Sequence, residues 1–236
     1  MDIRIIASER LKSMAEVVGY QYKRDPDHRH KPSGGGWHET PKGWSTAEQA
    51  ERKEGRKETL GGSSFWETGA ARFHDLIVNA RASQPEDKRW RVDAHGADEY
   101  KNCKTYSTEG KSTVAVTGDG DIISVCKNAS SQDRGSDLLK FAVAHGGKKL
   151  DAFGALWPFY TKNGFEPVSV TDFDREYAPD GWDPDRDDEE PIIFYRYTGV
   201  PYTKMSYDEF LSSVPHHDYE TAGRIRDKEI QKNEAR

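Results

Sequence analysis

The sequence predicts a mixed α+β (α/β) fold in which a mostly antiparallel sheet is flanked by helices. Three short strand-like segments, CKTYS, STVAV and DIISVCK, follow one another through glycine-containing turns, as the strands of an antiparallel meander do. After the meander the pattern changes to helix, strand, helix, strand, long loop and strand. A meander followed by a strand–helix–strand passage predicts a mixed sheet with helices packed on it.

The composition predicts that only part of the chain forms the packed domain. Of its 236 residues, 34% are hydrophobic and 32% are charged, and the mean hydropathy is −0.95. That balance is too polar for one tightly packed core of this length, so we expect polar extensions at both ends. The net charge of −6 argues against a dedicated nucleic-acid binder, because phosphate contacts need clustered lysine and arginine.

The same composition predicts a cytoplasmic protein that does not associate with membranes. No apolar run approaches the ~20 residues that span a bilayer, and the opening MDIRIIASERLKSM lacks the features of a signal peptide. Cys103 and Cys126 are the two cysteines, and we expect both to be reduced thiols.

The chain divides into three predicted parts. Residues 1–63 form a polar N-terminal extension of loop or disorder, because they hold prolines, three consecutive glycines and no sustained hydrophobic period. Its last segment, STAEQAERKEGRKETL, is expected to be a solvated helix or to lack stable structure. Residues 64–199 form the folded domain, including a leading helix. Residues 200–236 form a helical tail with one amphipathic segment around Phe210.

Within the domain, hydrophobic periodicity predicts each element in turn. ETGAARFHDLIVNARA and GSDLLKFAVAH predict helices, and the glycine pair after the second predicts its end. RWRVDAH alternates apolar and charged residues, which predicts a half-buried strand, and GADEYKN predicts a turn or one helical turn. KKLDAF, FEPVSV and IIFYRY predict three more strands, and LWPFYTKN predicts a short helix that ends at Gly164. The apolar positions of the two longer helices are Ala70, Phe73, Ile77 and Ala80, and Leu138, Leu139, Ala142 and Val143.

Two segments, DIISVCKNASSQDRGSDLLKFAV and KKLDAFGALWPFYTKNGFEPV, resemble the GNAT acyltransferase family in sequence and in their place in the element order. In that family a central strand leads into a loop of the pattern Arg/Gln-x-x-Gly-x-Gly/Ala and a helix, and a later helix ends in Tyr, a charge and Gly-Phe. The likeness covers roughly residues 88–199 and extends to GNAT-like proteins of phages and mobile elements. It implies an acyl-CoA-dependent N-acyltransferase, with acetyl-CoA as cosubstrate and a small-molecule or protein amine as acceptor.

The loop SSQDRGSDLL is the predicted binding site for the pyrophosphate of coenzyme A. Helix N-termini leave amides unpaired and carry partial positive charge, which favours an anion. Gly135 takes the family's second glycine position, but Asp133 stands at the first, where it would repel a phosphate, and Ser130 stands at the Arg/Gln position. The alternative is an ordinary helix cap by Ser136 or Asp133. The predicted cofactor contacts are Val125, Lys127, Ser130, Gln132, Arg134, Gly135 and Ser136.

The resemblance assigns Tyr160 the role of protonating the departing coenzyme A thiolate. A phenol with a pKa near ~10 suits that task. A backbone amide between Val125 and Lys127 is expected to hold the oxyanion. The alternative is that Tyr160 packs between helix and sheet. Pro158 departs from the family motif, and so does Phe153, which stands where the family has an asparagine.

Three residues are candidates for the general base that deprotonates the acceptor. Asp151 lies on a predicted strand near the expected cofactor, and its alternative is a solvent-facing strand residue. His95 ends a predicted strand, where a surface or capping role is the alternative, and Glu109 lies in a hairpin turn. Many enzymes of the family deprotonate through water, so a direct base is not required.

The loop DPDRDDEEP, residues 183–191, holds six carboxylates and one arginine. It lies between the last two strands, where the family often builds its acceptor site, so we expect it to attract cationic amines. The alternative is a solvated run of charges. Either way, it makes anionic nucleic acid a poorer substrate.

Two features of the N-terminal extension bear on metals and partners. His28, His30 and His38 match no zinc-ligand spacing and no cysteine accompanies them, so no metal site is predicted. Trp37 and Trp44 are candidates for anchoring a protein partner, or they fold back onto the domain.

Two other functions stay open. An eroded phosphate loop and decorated ends are also expected of a catalytically inert GNAT-fold binding protein or virion-associated protein. GNAT-like folds also occur in phage enzymes that modify nucleic-acid bases, although the net charge of −6 argues against that function.

Overall fold

A computed structural model describes residues 57–234, which contain eight β-strands and six α-helices. The strands are β1 (Lys57–Leu60), β2 (Ser63–Glu67), β3 (Cys103–Thr108), β4 (Thr113–Thr117), β5 (Ile122–Cys126), β6 (Lys149–Phe153), β7 (Phe165–Thr171) and β8 (Ile192–Tyr197). The helices are α1 (Ala70–Ala82), α2 (Glu86–Arg89), α3 (Gly135–Ala144), α4 (Trp157–Lys162), α5 (Tyr207–Ser213) and α6 (Tyr219–Glu234).

The strands form two antiparallel sheets that meet along β5 and β6. The five-stranded sheet has the order β1-β2-β3-β4-β5, and the three-stranded sheet has the order β6-β8-β7. A single parallel bridge between Asp121 and Lys149 joins them within the described chain. The Gly120 carbonyl accepts hydrogen bonds from the amides of Lys148 and Lys149, at 2.8 and 3.2 Å. The predicted mixed, mostly antiparallel sheet is therefore confirmed.

A β-bulge in β5 shifts the pairing register between β5 and β4 soon after the bridge. Ile123 pairs with Ala115 and Cys126 with Thr113, so β5 contains one residue more than β4 over the same stretch. Ser124 has a φ of +53° at this point. Meanwhile β6 pairs with β8 on its other side. The two strands thus start side by side, and beyond the bridge no backbone pairing joins them within the described chain, which leaves a gap between them.

Helices cover both faces of the larger sheet. Val114 and Val116 of β4 belong to the main hydrophobic cluster with α3, whereas Ala115 between them belongs to a smaller cluster with α1. This alternation follows from the strand period of two. Phe141 of α3 stacks on Phe65 of β2, with ring centroids 3.9 Å apart, a contact worth about 1 kcal/mol beyond its buried area.

One predicted strand is absent, since RWRVDAH follows α2 as irregular chain. Trp90 is fully buried, but its ring packs edge-on against Phe153 and Phe173 instead of into a strand interface. Arg91 forms a salt bridge with Glu190. Alternation here reflects these side-chain contacts, because no strand of residues 57–234 pairs with this backbone.

The domain begins earlier than its predicted start at residue 64. β1 and β2 form a hairpin through Gly61 and Gly62, which both have positive φ, and so the last residues of the predicted extension are part of the sheet. At the other end, α5 begins with a capping box between Ser206 and Glu209. None of the helices in residues 57–234 is long and apolar enough to cross a bilayer.

Candidate functional site

The candidate site is the gap that opens between β5 and β6. Tyr160 of α4 lies beside it: the residue is 7% exposed, and its ring contacts those of Phe165 and Tyr195. Among the described residues its hydroxyl has no hydrogen-bond partner. Burial and the nearby Asp151 carboxylate raise the pKa of the phenol above its usual value. Tyr160 is therefore a packing residue whose phenol stays neutral at ordinary pH.

Asp151 is the third residue of β6, on the face opposite Leu150 and Ala152. The hydroxyl of Tyr219 donates a hydrogen bond to Asp151 Oδ2 at 3.0 Å, and Arg226 Nη1 lies 4.0 Å from Oδ1. Burial raises the pKa of Asp151, although Arg226 and the Tyr219 hydrogen bond oppose the rise. Asp151 is therefore not a freely solvated strand residue but a carboxylate held on the gap by α6.

A second carboxylate, Asp121, shares Arg226 with Asp151. Arg226 is 5% exposed, and its Nη2 lies 3.3 Å from Asp121 Oδ2 while its Nε lies 3.0 Å from Asp227 Oδ1. Burial raises the pKa of Asp121 to about 6, against the pull of Arg226. Within residues 57–234, Asp121 Oδ1 and Arg226 Nη1 are buried without a hydrogen-bond partner.

The bulge in β5 is tied to the irregular segment that follows α2. Ser124 Oγ lies 2.7 Å from the Tyr100 hydroxyl and donates to the Asp93 carbonyl at 3.3 Å. The amide of His95 donates to the same hydroxyl at 3.1 Å. These contacts hold Asp93 and His95 near Asp151, where both influence its pKa. The His95 ring itself lies 3.5 Å from Glu99 Oε2.

Asp133 is turned away from the N-terminus of α3, contrary to the expectation that it points toward a phosphate. Its carboxylate accepts hydrogen bonds from the hydroxyls of Ser63, Thr108 and Ser112, the last at 2.7 Å. These donors lie on β2, β3 and the turn before β4. Asp133 therefore fastens the β5–α3 loop to the sheet.

Neither Asp133 nor Ser136 caps α3, so the predicted capping alternative is wrong. The N-cap residue is Arg134, and within the described chain no side chain accepts a capping hydrogen bond from the first-turn amides. Instead Arg134 Nε bonds to the buried carboxylate of Asp137 at 2.9 Å, and its Nη2 bonds to the Gly61 carbonyl. The Arg134 side chain is 65% exposed and lies at the N-terminus of α3, where an approaching anion could still contact it.

The N-terminus of α3 retains amides that no described group accepts. In residues 57–234, the amides of Gln132, Arg134, Gly135 and Ser136 have no hydrogen-bond acceptor. Gly135 lies against Phe159, since a Cβ on it would stand 3.0 Å from the ring. Such converging donors with the helix dipole can hold an anionic group.

The remaining predicted site residues lie on or near this loop, except Glu109. Val125 packs against the main core, and Lys127 is exposed, with its carbonyl bonded to Gln84. Ser130 and Gln132 are exposed. Glu109 lies in the β3–β4 turn, whose neighbouring Gly110 contacts the β5–α3 loop rather than Asp151. His28, His30, His38, Trp37 and Trp44 lie outside the described residues.

The acidic loop borders a cavity of about 440 Å³ at the end of β6. Asp188, Glu189, Trp157 and Tyr207 line it. Several carboxylates of the loop are already paired: Asp187 with Arg186, Glu189 with Arg175, and Glu190 with Arg91 and the Ala155 amide. The loop thus combines internal ion pairs with exposed negative charge.

Sequence reasoning did not identify Asp121, Tyr219 or Arg226 as site residues. Tyr219 and Arg226 come from a helix that is charged nearly all round, and they are 68 and 105 residues from their partners Asp151 and Asp121. The one available signal is the i, i+3, i+7 spacing of Tyr219, Ala222 and Arg226, which lies on one helix face. No family model, curated protein or solved structure matches the chain.

Proposed function

We propose that the protein is an acyl-CoA-dependent N-acyltransferase of the GNAT type that transfers an acetyl group to a cationic amine. The observation that carries the proposal is the gap between β5 and β6, which start in parallel and splay beside Tyr160 and Asp151. The amides at the N-terminus of α3 that have no acceptor within residues 57–234 supply a second support, because they can donate hydrogen bonds to the pyrophosphate of coenzyme A.

In this proposal the two groups beside the gap exchange protons with the reactants. Asp151 takes a proton from the acceptor ammonium, and the freed amine nitrogen attacks the thioester carbonyl carbon. A C–N bond forms and the C–S bond breaks; the thiolate takes the phenolic proton of Tyr160, and the new amide nitrogen releases its second proton to solvent. Exchange with solvent then restores both residues. The burial that keeps Tyr160 protonated also raises the proton affinity of a thiolate expelled beside it.

The transient oxyanion is assigned to the backbone between Val125 and Lys127. This segment follows the bulge at Ser124, and its central residue Cys126 pairs with Thr113 of β4. A backbone amide directed at the developing charge is worth about 3–4 kcal/mol of transition-state stabilisation in comparable acyl transfers.

The acceptor class follows from the charge around Asp151. Asp93 and Glu99 stand at one side of the gap with exposed carboxylates, and Asp121 lies behind it. Arg226, the cation in contact with this group, is already shared by three carboxylates. A protonated amine would be drawn to such a surface, and an anionic acceptor would be repelled.

Release of free thiol from acetyl-CoA tests the function. The full chain is incubated with acetyl-CoA and either a cationic diamine, a lysine-containing peptide or an uncharged amine. We expect thiol release that requires the amine and is faster with the cationic acceptors, together with an acetylated product by mass spectrometry. Absence of amine-dependent release with every acceptor would reject the enzymatic function.

A catalytically inert GNAT-fold binding protein is the second candidate. It is favoured by the engagement of Arg134 with Asp137 and by the serine at position 130, which together leave the phosphate loop with little free positive charge. Binding of acetyl-CoA without turnover, or no binding at all, would favour this candidate. A phage base-modifying enzyme is a third, and modified bases in the DNA of expressing cells would reveal it.

A further inference from the structure

The C-terminal helix α6 contributes two polar side chains to the gap between β5 and β6. Tyr219 begins the helix and donates to Asp151 Oδ2 at 3.0 Å. Arg226, two turns later, lies between Asp121 and Asp151 and is nine-tenths buried, although its Nη1 has no hydrogen-bond partner in the described chain. A long, mostly charged helix that buries an arginine here requires an explanation beyond packing, since buried ion pairs contribute little net stability.

We infer that α6 is part of the active site and that Tyr219 and Arg226 are positioning residues that orient the carboxylate of Asp151 toward the acceptor. This inference rests on the proposed acyltransferase function. The hydrogen bond from Tyr219 engages Oδ2, so Oδ1 is the oxygen left to receive a proton. Arg226 Nη1, 4.0 Å away, is too far for a hydrogen bond but attracts the charged form.

The arrangement resolves a conflict between two requirements on a general base. A base must be ionised to accept a proton, but burial beside a hydrophobic sheet disfavours the ionised form. Tyr219 and Arg226 favour the ionised form of Asp151. Arg226 also pairs with Asp121 and Asp227, so only part of its positive charge acts on Asp151, which can still take up a proton. The titratable groups that face Asp151 are Tyr219 and Arg226 from α6, Asp93 and His95 from the segment after α2, Asp121 from the start of β5, and Tyr160 from α4.

The test is the pH profile of kcat/KM for Tyr219→Phe. Loss of the hydroxyl removes a hydrogen bond to the charged form, so the pKa of Asp151 rises and the acidic limb of the profile moves to higher pH. We expect a shift of about 0.5–1 pH unit. Tyr219 is 47% exposed, so the variant should fold, which thermal unfolding checks. Tyr197→Phe is the matched control: this tyrosine is 37% exposed at the far end of β8, and its profile should coincide with that of the unmodified protein.

The outcomes separate this inference from the proposed function. Amine-dependent turnover with an acidic limb that does not move in Tyr219→Phe would overturn the positioning role and leave the acyltransferase intact. A limb that moves equally in Tyr197→Phe would do the same. No turnover by the unmodified protein would overturn the acyltransferase and the positioning role together.

Discussion

Removal of the Tyr160 hydroxyl tests whether this residue donates the proton to the leaving thiolate. Its hydroxyl has no hydrogen-bond partner among the described residues, so Tyr160→Phe keeps the ring contacts with Phe165 and Tyr195 and should barely change stability. Turnover should fall by about 10²–10⁴-fold, the usual worth of a positioned proton donor. Affinity for acetyl-CoA should stay nearly constant, because the contact matters as thiolate charge develops. Steady-state kinetics and calorimetry measure the two quantities.

The opposite pattern would assign Tyr160 to the core. If Tyr160→Phe loses stability and keeps its turnover, the phenol serves packing, and the proposed proton donor is wrong.

Asp121 predicts a pH dependence of stability. Burial raises the folded-state pKa of Asp121 from 3.8 to about 6, so the native state keeps a proton that the unfolded chain releases between these values. The contribution of Asp121 is therefore fully present below pH ~3.8 and is lost as pH rises to about 6. Asp121→Asn lacks this loss. Relative to the unmodified protein, it should gain on the order of 2 kcal/mol in free energy of unfolding between pH 4 and pH 7.

Urea unfolding at several pH values measures that difference. A difference between the two proteins that stays constant from pH 4 to pH 7 would show that Asp121 is ionised normally, and the account of the buried cluster with Arg226 would need revision.

At the residue scale, sequence reasoning identified the residues that have a local signal. Tyr160 was proposed from its place in a short motif and Asp151 from its place on a predicted strand, and both roles stay predictions. The anchoring role of Asp133 was not predicted, because its three hydroxyl partners lie on β2, on β3 and in the turn before β4. Arg226 was missed for the same reason, since its partner Asp121 is 105 residues away.

At the element scale, the β5–α3 loop depends on Asp133. Asp133→Ala removes the acceptor of hydroxyls from Ser63, Thr108 and Ser112, and we expect a loss of about 2–3 kcal/mol in the free energy of unfolding. The loosened loop should also bind acetyl-CoA more weakly. Glu109→Ala, which removes an exposed carboxylate from the neighbouring turn, is the matched control and should change neither quantity.

The sign of the affinity change is decisive. If Asp133 instead faced the phosphates, its removal would relieve repulsion and strengthen binding. Tighter binding of acetyl-CoA by Asp133→Ala, measured by calorimetry, would contradict the anchoring role.

The elements that were predicted correctly are those with a sustained period. The helices at residues 70–82 and 135–144 bury the apolar faces that the spacing predicts. Strand β1 has only four residues and lies at an edge, too short for a period to be recognised. RWRVDAH shows the opposite error, because alternation in seven residues cannot reveal whether a strand lies next to it.

At the scale of the whole molecule, the sequence predicted much of the element order along the chain, but neither the strand order within the two sheets nor the position of α6. The meander and the strand–helix–strand passage are local patterns, so their order could be read along the chain. The start of α6 beside β6 could not, since only Ala222 and Arg226 of this helix are buried and its charged surface resembles a solvated tail. Long-range contacts between polar residues produce no hydrophobic periodicity in the sequence, so the sequence alone does not predict them.

The negative charge of the molecule adds a condition on any anionic cofactor. The chain carries a net charge of −6, and much of the acidic surface lies around residues 183–191 and the gap beside Asp151. In the proposed function, acetyl-CoA would therefore be held by the local field of the α3 N-terminus, which acts over a few ångströms and is less sensitive to salt than a long-range attraction.

Titration calorimetry of acetyl-CoA into the full chain measures whether the gap between β5 and β6 is an acyl-CoA site. We expect saturable binding of one acetyl-CoA per chain. The dissociation constant should lie in the micromolar to sub-millimolar range, which corresponds to a binding free energy of about −5 to −8 kcal/mol. Coenzyme A should compete for the site, and free acetate should not. No heat of binding at millimolar acetyl-CoA, from protein that unfolds cooperatively, would contradict the claim that the gap between β5 and β6 is an acyl-CoA site.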